Sequence, residues 1–171
     1  PAPALIPADE VERALMFGLI HEIAGADGYG WNRRLIFFAK ARAAIVAAPE
    51  TPGIDRESLD RLAAKYDYGG DAARARQRIV AIFKMLVARL HAQKAGGSRY
   101  FIGDSLTAAD IYWAAFCALV KPLPLDLCPV SPGMHETYTE RDPAILAAAD
   151  PILLAHRDYI YERYLELPMR L

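Results

Sequence analysis

The chain has 171 residues, 54% of them hydrophobic, and a formal net charge of −1. This length suits a single domain that buries roughly two-thirds of its unfolded surface. The near balance of charge argues against nucleic acid as a main partner. No apolar run is long enough to cross a bilayer, so no membrane partner is expected. The two cysteines, Cys117 and Cys128, indicate reduced thiols and a cytoplasmic location, because no secretion leader is recognisable.

The N-terminal part predicts a linker followed by a helix. Residues 1–7 are proline-rich, which favours an extended linker or arm. Asp9 then caps a helix that ends at Gly25. The apolar residues of this helix cover more of its circumference than a surface helix needs. We therefore expect one face to pack within the domain and the other to meet a second domain or a second subunit. A helix buried on all sides within this chain is the alternative.

Three further helices are predicted before residue 96. The first spans 31–48 and ends at two nearby prolines, and the second is short and runs from an Asp55 cap to Tyr66. The third is long, from Asp71 to Ala95, and ends at a glycine pair. It carries one narrow apolar stripe, which predicts a single buried face. The stripe consists of Ile79, Ile82, Phe83, Leu86 and Leu90.

Residues 100–113, YFIGDSLTAADIYW, specify a helix start in detail. The Thr107 side-chain oxygen can cap the helix, and Asp110 can reach back to the Thr107 backbone N–H as a capping box. Leu106 and Ile111 occupy the two positions of a hydrophobic staple. The helix that follows is apolar on all sides to about residue 120, which predicts a buried central helix. We interpret Thr107 and Asp110 as a structural capping box and expect alanine at either position to lower stability by about 1 to 2 kcal/mol.

The remaining chain predicts an irregular segment and a helical tail. Residues 121–139 contain four prolines, and two Asp-Pro pairs, at 142–143 and 150–151, each predict a helix start. No repeat or strand pattern is visible. The sequence therefore predicts one all-α domain over residues 1–171, a bundle of six or seven helices around the helix that begins at Thr107.

The stretch Gly103–Asp110, GDSLTAAD, resembles a signature of the glutathione transferase superfamily. That signature reads glycine, acidic residue, any residue, Leu or Phe, Ser or Thr, any residue, Ala, Asp. In the family it opens the buried central helix of the all-helical C-terminal domain. The order of predicted helices along the chain is also similar to that domain.

The resemblance implies a partner for this chain. Family members carry an N-terminal thioredoxin-like domain that binds glutathione and supplies the catalytic Tyr, Ser or Cys. No β-α-β pattern occurs in these residues, so we expect no catalytic residue and no cofactor within them, with glutathione as the co-substrate of a parent protein. Because the chain begins with Pro1 rather than Met, it has either lost its initiator or continues a longer protein.

The resemblance also implies where a substrate would bind. The helical domain of such enzymes provides an apolar pocket for a small hydrophobic electrophile. It is lined by the far half of the first helix, the turn after it and the buried central helix. By position, seven residues are candidates for this pocket: His21, Glu22, Tyr29, Trp31, Arg34, Tyr112 and Phe116.

Each candidate also has a purely structural interpretation. The His21-Glu22 pair can assist proton transfer or form a surface ion pair. Tyr29 and Trp31 can form a pocket wall or pack between domains. The Arg33-Arg34 pair can bind a substrate carboxylate or make intramolecular pairs.

The fourth predicted helix is basic and can be interpreted in two ways. No acidic residue lies between Asp71 and Asp104, which is compatible with a nucleic-acid face. Acidic residues between positions 55 and 67 favour cross-helix ion pairs instead, and we expect no nucleic-acid partner. The histidines and cysteines lack metal-binding spacing, so no metal is expected. The basic residues are Arg74, Arg76, Arg78, Lys84, Arg89 and Lys94.

Taken together, the sequence predicts the C-terminal helical domain of a glutathione transferase-like protein. This domain would provide the electrophile pocket and part of a homodimer interface, and it would be inactive alone. The alternative is a non-catalytic protein–protein interaction module with the same fold.

Overall fold

A computed structural model describes residues 4–48, 56–66, 68 and 71–169. Within these ranges the chain forms eight α-helices, one 3-10 helix and no strand, which confirms the all-α class. None of these helices combines the length and the apolarity that crossing a membrane requires. The helices are α1 (Glu10–Ala24), α2 (Tyr29–Ala47), α3 (Arg56–Tyr66), α4 (Ala72–Ala95), α5 (Ala108–Phe116), α6 (Pro132–Tyr138), α7 (Pro143–Ala148) and α8 (Pro151–Tyr164), with the 3-10 helix at Cys117–Leu119.

Aspartate side chains begin four of the helices. Asp9 Oδ1 accepts hydrogen bonds from the first-turn N–H groups of α1 at 3.0 and 2.9 Å. Asp71, Asp142 and Asp150 cap α4, α7 and α8 in the same way. These side chains satisfy N–H groups that have no partner inside the helix. The predicted cap at Asp55 lies outside the described residues.

The helix α2 begins two residues earlier than predicted. Asn32 is buried, and its side-chain amide donates to the carbonyls of Asp27 (2.8 Å) and Gly28 (2.9 Å). A Cβ atom at Gly28 would lie only 2.7 Å from the His21 carbonyl oxygen, so the turn from α1 can close this tightly only with glycine. This turn brings Tyr29 into the first turn of α2.

The core centres on Trp113 of α5. Its ring lies 5.7 Å from the ring of Phe83 on α4 and 6.0 Å from that of Tyr29, measured between centroids. The indole N–H donates to the Leu153 carbonyl of α8 at 3.0 Å, which satisfies the one polar group of this buried side chain. Trp113 therefore connects α2, α4, α5 and α8. The predicted apolar stripe of α4 is buried in the same core.

The start of α5 is held by a buried carboxylate. Asp110 Oδ2 accepts from the Thr107 N–H and from the Thr107 hydroxyl, both at 2.8 Å, and the reciprocal capping box is present. Asp110 Oδ1 accepts from the Phe101 N–H at 2.8 Å and lies 3.2 Å from Nε2 of His156 on α8. The sequence predicted the Thr107 contact but not the other two. Asp110 thus connects the loop before α5, α5 itself and the last helix.

The helices α1 and α5 pack against each other, and both leave apolar side chains exposed. On α1, Met16, Leu19 and Ile23 are buried, whereas Val11 and Phe17 are 76% and 47% exposed. The composition of α5 predicted a helix buried on all sides. This prediction is wrong for one face, because Tyr112 is 41% exposed. One face of α1 remains uncovered by the described residues, as the sequence predicted.

The segment 121–139 is not wholly irregular. Ser131 accepts a hydrogen bond from the Met134 N–H at 3.2 Å and caps α6, with Pro132 in the first helical turn. This is the same proline signal that predicted α7 and α8, with serine in place of aspartate. The additional helix α6 raises the count above the six or seven expected.

The N-terminal segment is anchored to α5. The Leu5 carbonyl accepts a hydrogen bond from the Ala108 N–H at 2.8 Å. Ala108 is the first residue of α5, so its N–H has no partner inside the helix. Residues before α1 are therefore attached to the start of the central helix.

Candidate functional site

A cavity of about 240 Å³ lies where α1, α2, α5, the 3-10 helix and α6 meet. Four of its eight lining residues are aromatic, and Arg34 is its one charged lining residue among those described. Such a lining suits an apolar ligand held by a few polar contacts. The lining residues are Ala24, Gly30, Trp31, Arg34, Phe37, Phe116, Leu119 and Tyr138.

Three of the seven candidates line this cavity. Trp31 and Arg34 come from α2, and Phe116 comes from the end of α5. The Arg34 guanidinium donates to the Tyr68 hydroxyl at 3.0 Å, and the Trp31 ring lies 5.3 Å from the Tyr68 ring. Tyr68 therefore supports both side chains. The role of the cavity as a substrate site stays a prediction.

The other four candidates lie elsewhere. Tyr29 is fully buried against Phe83, with ring centroids 4.9 Å apart, because the early start of α2 turns it into the core. Burial raises the pKa of the Tyr29 hydroxyl well above its usual value. Tyr112 is exposed on α5 and does not line the cavity.

The His21-Glu22 pair has a structural role. Glu22 forms an ion pair with Arg78 of α4, with 2.7 Å between Oε2 and Nη2. The His21 ring covers Gly25, where a Cβ atom would lie 2.3 Å from the ring nitrogen Nδ1. Neither residue lines the cavity.

Gly30 shapes the cavity by its lack of a side chain. A Cβ atom there would lie 2.2 Å from Cε1 of the Phe116 ring, well inside van der Waals contact. The absence of a side chain lets the end of α5 press against the first turn of α2. Any larger residue would displace the Phe116 ring and alter the cavity wall.

A buried ion pair adjoins the cavity. Intramolecular pairing of Arg33 was one of the two interpretations of the sequence, but its burial and its partner Glu140 were not predicted. Arg33 Nη1 lies 3.0 Å from Glu140 Oε2, and both side chains are 1% exposed. The Arg33 Nε–H donates to the Leu119 carbonyl at 3.1 Å, and the guanidinium lies 4.3 Å from the Phe37 ring centroid. Two cavity-lining residues are therefore held by Arg33. Glu140 Oε1 in turn accepts from the N–H groups of Arg141 (2.7 Å) and Asp142 (2.8 Å).

The spacing of α2 contains a signal for this pair. Tyr29, Arg33 and Ile36 recur at helical intervals of four and three, which places Arg33 on the buried face. A charge on such a face requires a buried partner. Position alone does not reveal that the partner is Glu140, which is far away in the sequence.

The basic face of α4 is used within the domain, although not with the acids expected. Arg74 and Arg78 pair with Asp27 in the turn before α2, and Arg76 pairs with Asp142. Burial raises the pKa of the Asp142 carboxyl, but hydrogen bonds from Arg76 and from α7 N–H groups outweigh it, so the pKa is lowered overall.

The two cysteines differ in burial. Cys117 is buried, and desolvation raises the pKa of its thiol to about 12. Cys128 is partly exposed and forms no disulfide. Among the described residues, no three His, Cys, Asp or Glu side chains are grouped closely enough to bind a metal ion.

Comparison with known families identifies the fold. The family model for the glutathione S-transferase C-terminal domain matches residues 53–158. This span is more than half of the chain and contains Thr107, Asp110 and His156. The chain therefore belongs to the glutathione S-transferase C-terminal domain family, which confirms the resemblance that Gly103–Asp110 carries. No curated protein and no solved structure matches the chain significantly.

Proposed function

We propose that this chain is the helical half of a glutathione transferase-like protein and binds a small hydrophobic electrophile between α2 and α5. Glutathione, the co-substrate, is bound and activated by an N-terminal thioredoxin-like domain of the parent protein. The observation that carries the proposal is the aromatic cavity lined by Trp31, Arg34 and Phe116. The family match supports the fold on which this assignment depends.

The proposed mechanism divides the work between two domains. The thioredoxin-like domain holds glutathione as its thiolate, whose sulfur forms a thioether bond with the electrophile while the leaving group departs with the electron pair of the broken bond. The residues of this chain bind and orient the electrophile. Aromatic rings of the cavity exclude water from the apolar body of the substrate, and Arg34 offers hydrogen bonds to a polar substituent such as a nitro or carboxylate group.

Tryptophan fluorescence can test the cavity. The chain contains two tryptophans, of which Trp31 lines the cavity and Trp113 is fully buried. We expect 1,3-dinitrobenzene, an aromatic probe without a good leaving group, to quench the Trp31 emission with saturation. In the Trp31→Phe variant, where Trp113 alone remains, saturable quenching should disappear. Equal saturable quenching in that variant would place the probe elsewhere.

Two aromatic residues of α5 provide a matched comparison. Phe116 lines the cavity and Tyr112 does not, although both belong to the same helix. Phe116→Ala should weaken probe binding at least about threefold because a buried apolar contact is lost. Tyr112→Ala should leave the affinity unchanged. Equal effects of the two substitutions would contradict the assignment.

A second test concerns the division of labour between the domains. The 171-residue chain should show no conjugating activity and no retention on immobilised glutathione. Tight binding of glutathione by these residues would overturn the proposal that the other domain holds this co-substrate.

The cytoplasmic location expected from the sequence is compatible with two unpaired cysteines.

We further propose that the uncovered face of α1 is an interface of the parent protein, either with the thioredoxin-like domain or within a homodimer. Val11 on this face and Val46 on α2 are similarly exposed, at 76% and 78%. Val11→Ser should weaken self-association in sedimentation equilibrium if the face forms the homodimer, and Val46→Ser should not. Unchanged self-association in both variants would show that this face of α1 does not form a homodimer interface.

A non-catalytic interaction module is the second candidate function, and the same exposed residues of α1 support it. Such a module would retain a specific macromolecular partner and would not bind the aromatic probe. Loss of partner retention in Val11→Ser, without any probe binding by the unaltered chain, would favour this alternative.

A further inference from the structure

The cavity between α4 and α8 is a second potential binding site. It has a volume of about 330 Å³, which falls within the range of small-molecule sites, about 300 to 1,000 Å³. Leu90 of α4 and Ile152 and Ala155 of α8 provide its apolar wall. Its lining residues belong to different elements from those of the cavity between α2 and α5. We call it the α4–α8 cavity.

Two cations stand at the edge of the α4–α8 cavity. Lys94 lies in the last turn of α4, and Arg99 lies in the loop that follows. Within the described ranges, neither side chain forms an ion pair with a carboxylate. The Asp150 carboxyl lies near Lys94, and its pKa is lowered chiefly by the Ile152 N–H and in smaller part by His91 and Lys94. Arg76 and Arg78 of α4, in contrast, form ion pairs with Asp142 and Glu22.

The Arg99 guanidinium is already positioned. It lies 4.9 Å from the centroid of the Tyr159 ring, and Tyr159 also lines the cavity. A guanidinium held over an aromatic face can still donate its N–H groups, which point outward in its own plane, to an anion. The Arg99 main chain is fixed as well, since its carbonyl contacts Nδ1 of the buried His156 at 3.0 Å. An anion bound here would therefore meet a largely ordered arginine.

We propose that the α4–α8 cavity binds a small amphipathic anion. The anionic head, a carboxylate or a phosphate, would contact Arg99 and Lys94, and its apolar body would lie against Leu90, Ile152 and Ala155. No acidic side chain lines this cavity among the described residues, so no lining charge opposes such a head group. A neutral apolar molecule would gain no charge-assisted contact with Arg99 or Lys94 and should bind more weakly.

The test uses four probes and NMR titration of the isotope-labelled 171-residue chain. These are 1-naphthoate, 1-naphthyl phosphate, the neutral 1-naphthalenemethanol and acetate. We expect saturable shifts of the backbone amide signals of 94–99 and 152–159 with the first two, and the tighter of these identifies the head group. The neutral probe and acetate should bind at least about tenfold more weakly, since each lacks one of the two contacts. Equal affinity for naphthoate and naphthalenemethanol would overturn the proposal.

Matched variants separate this site from general surface attraction. Arg99→Gln should weaken naphthoate binding about tenfold. Arg163→Gln removes an arginine that also lies over a tyrosine ring, at 5.8 Å from Tyr164, but lines no part of the cavity. It should change the affinity less than twofold. An equal loss in both variants would show that the probes follow overall charge.

A third variant addresses the apolar wall without changing charge. Ala155 is exposed at the cavity, so Ala155→Phe should fill the space without disturbing the core. Binding should be abolished, while the amide signals of residues outside α8 and away from the cavity stay those of the unaltered chain. Unchanged naphthoate binding in Ala155→Phe would exclude the α4–α8 cavity as the site.

Discussion

Replacing Asp110 by alanine should destabilise the domain far more than an ordinary capping change does. The substitution removes the acceptor for the Phe101 N–H, the Thr107 N–H and the Thr107 hydroxyl, and the partner of His156. Each buried donor without an acceptor costs about 1 to 3 kcal/mol. Three such donors share one carboxylate, and the costs of groups in one network do not add in full. We therefore expect a loss of about 3 to 5 kcal/mol.

Two other capping residues provide reference values for this loss of stability. Thr107→Ala removes one donor and leaves the Asp110 carboxylate otherwise bonded, so it should cost about 1 to 2 kcal/mol. Asp9→Ala removes a carboxylate that also accepts two backbone hydrogen bonds, but at the exposed start of α1. It should cost about 0.5 to 2 kcal/mol, because water can replace the carboxylate. The order of loss should be Asp110, then Thr107 and Asp9 together.

Urea unfolding followed by circular dichroism measures these losses, with the slope of the transition as a check on two-state behaviour. For a domain of this size each kcal/mol shifts Tm by about 2 to 4 °C, so the Asp110→Ala variant should melt about 6 to 20 °C lower. A loss in Asp110→Ala no larger than in Asp9→Ala would refute the reasoning that the buried contacts set the magnitude. Unchanged melting in both Thr107→Ala and Asp110→Ala would refute the capping box itself.

Three further predictions follow from the site and its supports. Gly30→Ala should cost about 1 to 3 kcal/mol and weaken binding of the aromatic probe, because the new methyl group displaces the phenylalanine ring of α5. Arg33→Leu alone should cost about 3 to 5 kcal/mol, whereas Arg33→Leu combined with Glu140→Leu should cost clearly less, because no uncompensated buried charge remains. The pKa of Asp142 is lower in the folded chain than its unfolded value of about 3.9, so its contribution is complete above that pH and disappears as the pH falls through the folded pKa. Arg76→Gln should make the acid-side fall in stability shallower.

Each of these predictions has a contrary outcome. Wild-type stability in the glycine variant would show that the facing ring moves freely. A double variant of the buried pair that is less stable than either single variant would show that the pair itself, rather than its incomplete removal, governs stability. An unchanged acid profile after loss of the α4 arginine would assign the lowered pKa of Asp142 to its helix N–H bonds alone.

Helix positions were predictable where the determining interactions are local. Capping by Asp9, Asp71 and Thr107 depends on residues two or three positions away, so the sequence contains both partners. The early start of α2 was missed because Asn32 satisfies the preceding turn through its side chain, a contact that hydrophobic periodicity does not register. The start of α6 was missed because serine before proline is a less distinctive signal than aspartate before proline.

The site was less predictable than the fold because its supports are distant in sequence. The general location of the site near Trp31 and Phe116 was predicted from the corresponding positions in the family. Whether Tyr29 lies in the cavity or in the core depends on where α2 begins, which the sequence did not predict correctly. Glu140 and His156 bind charged residues that are many positions away, and one sequence does not identify such partners. Those two buried contacts are also the ones that raise the expected cost of changing Arg33 and Asp110.

The contacts between α5 and α8 can form only late in the synthesis of the chain, because α8 is the last helix to be made. The acceptor of the Trp113 indole lies 40 positions later, at Leu153, and His156 follows it. At about 5 to 20 residues per second, a ribosome needs about 2 to 8 s to add those 40 residues. During that interval every partner of the Asp110 carboxylate except His156 already exists, namely the Phe101 N–H and the N–H and hydroxyl of Thr107. The local cap can thus preserve a helical nucleus during translation, and the long-range bonds complete it only when the final helix has been made.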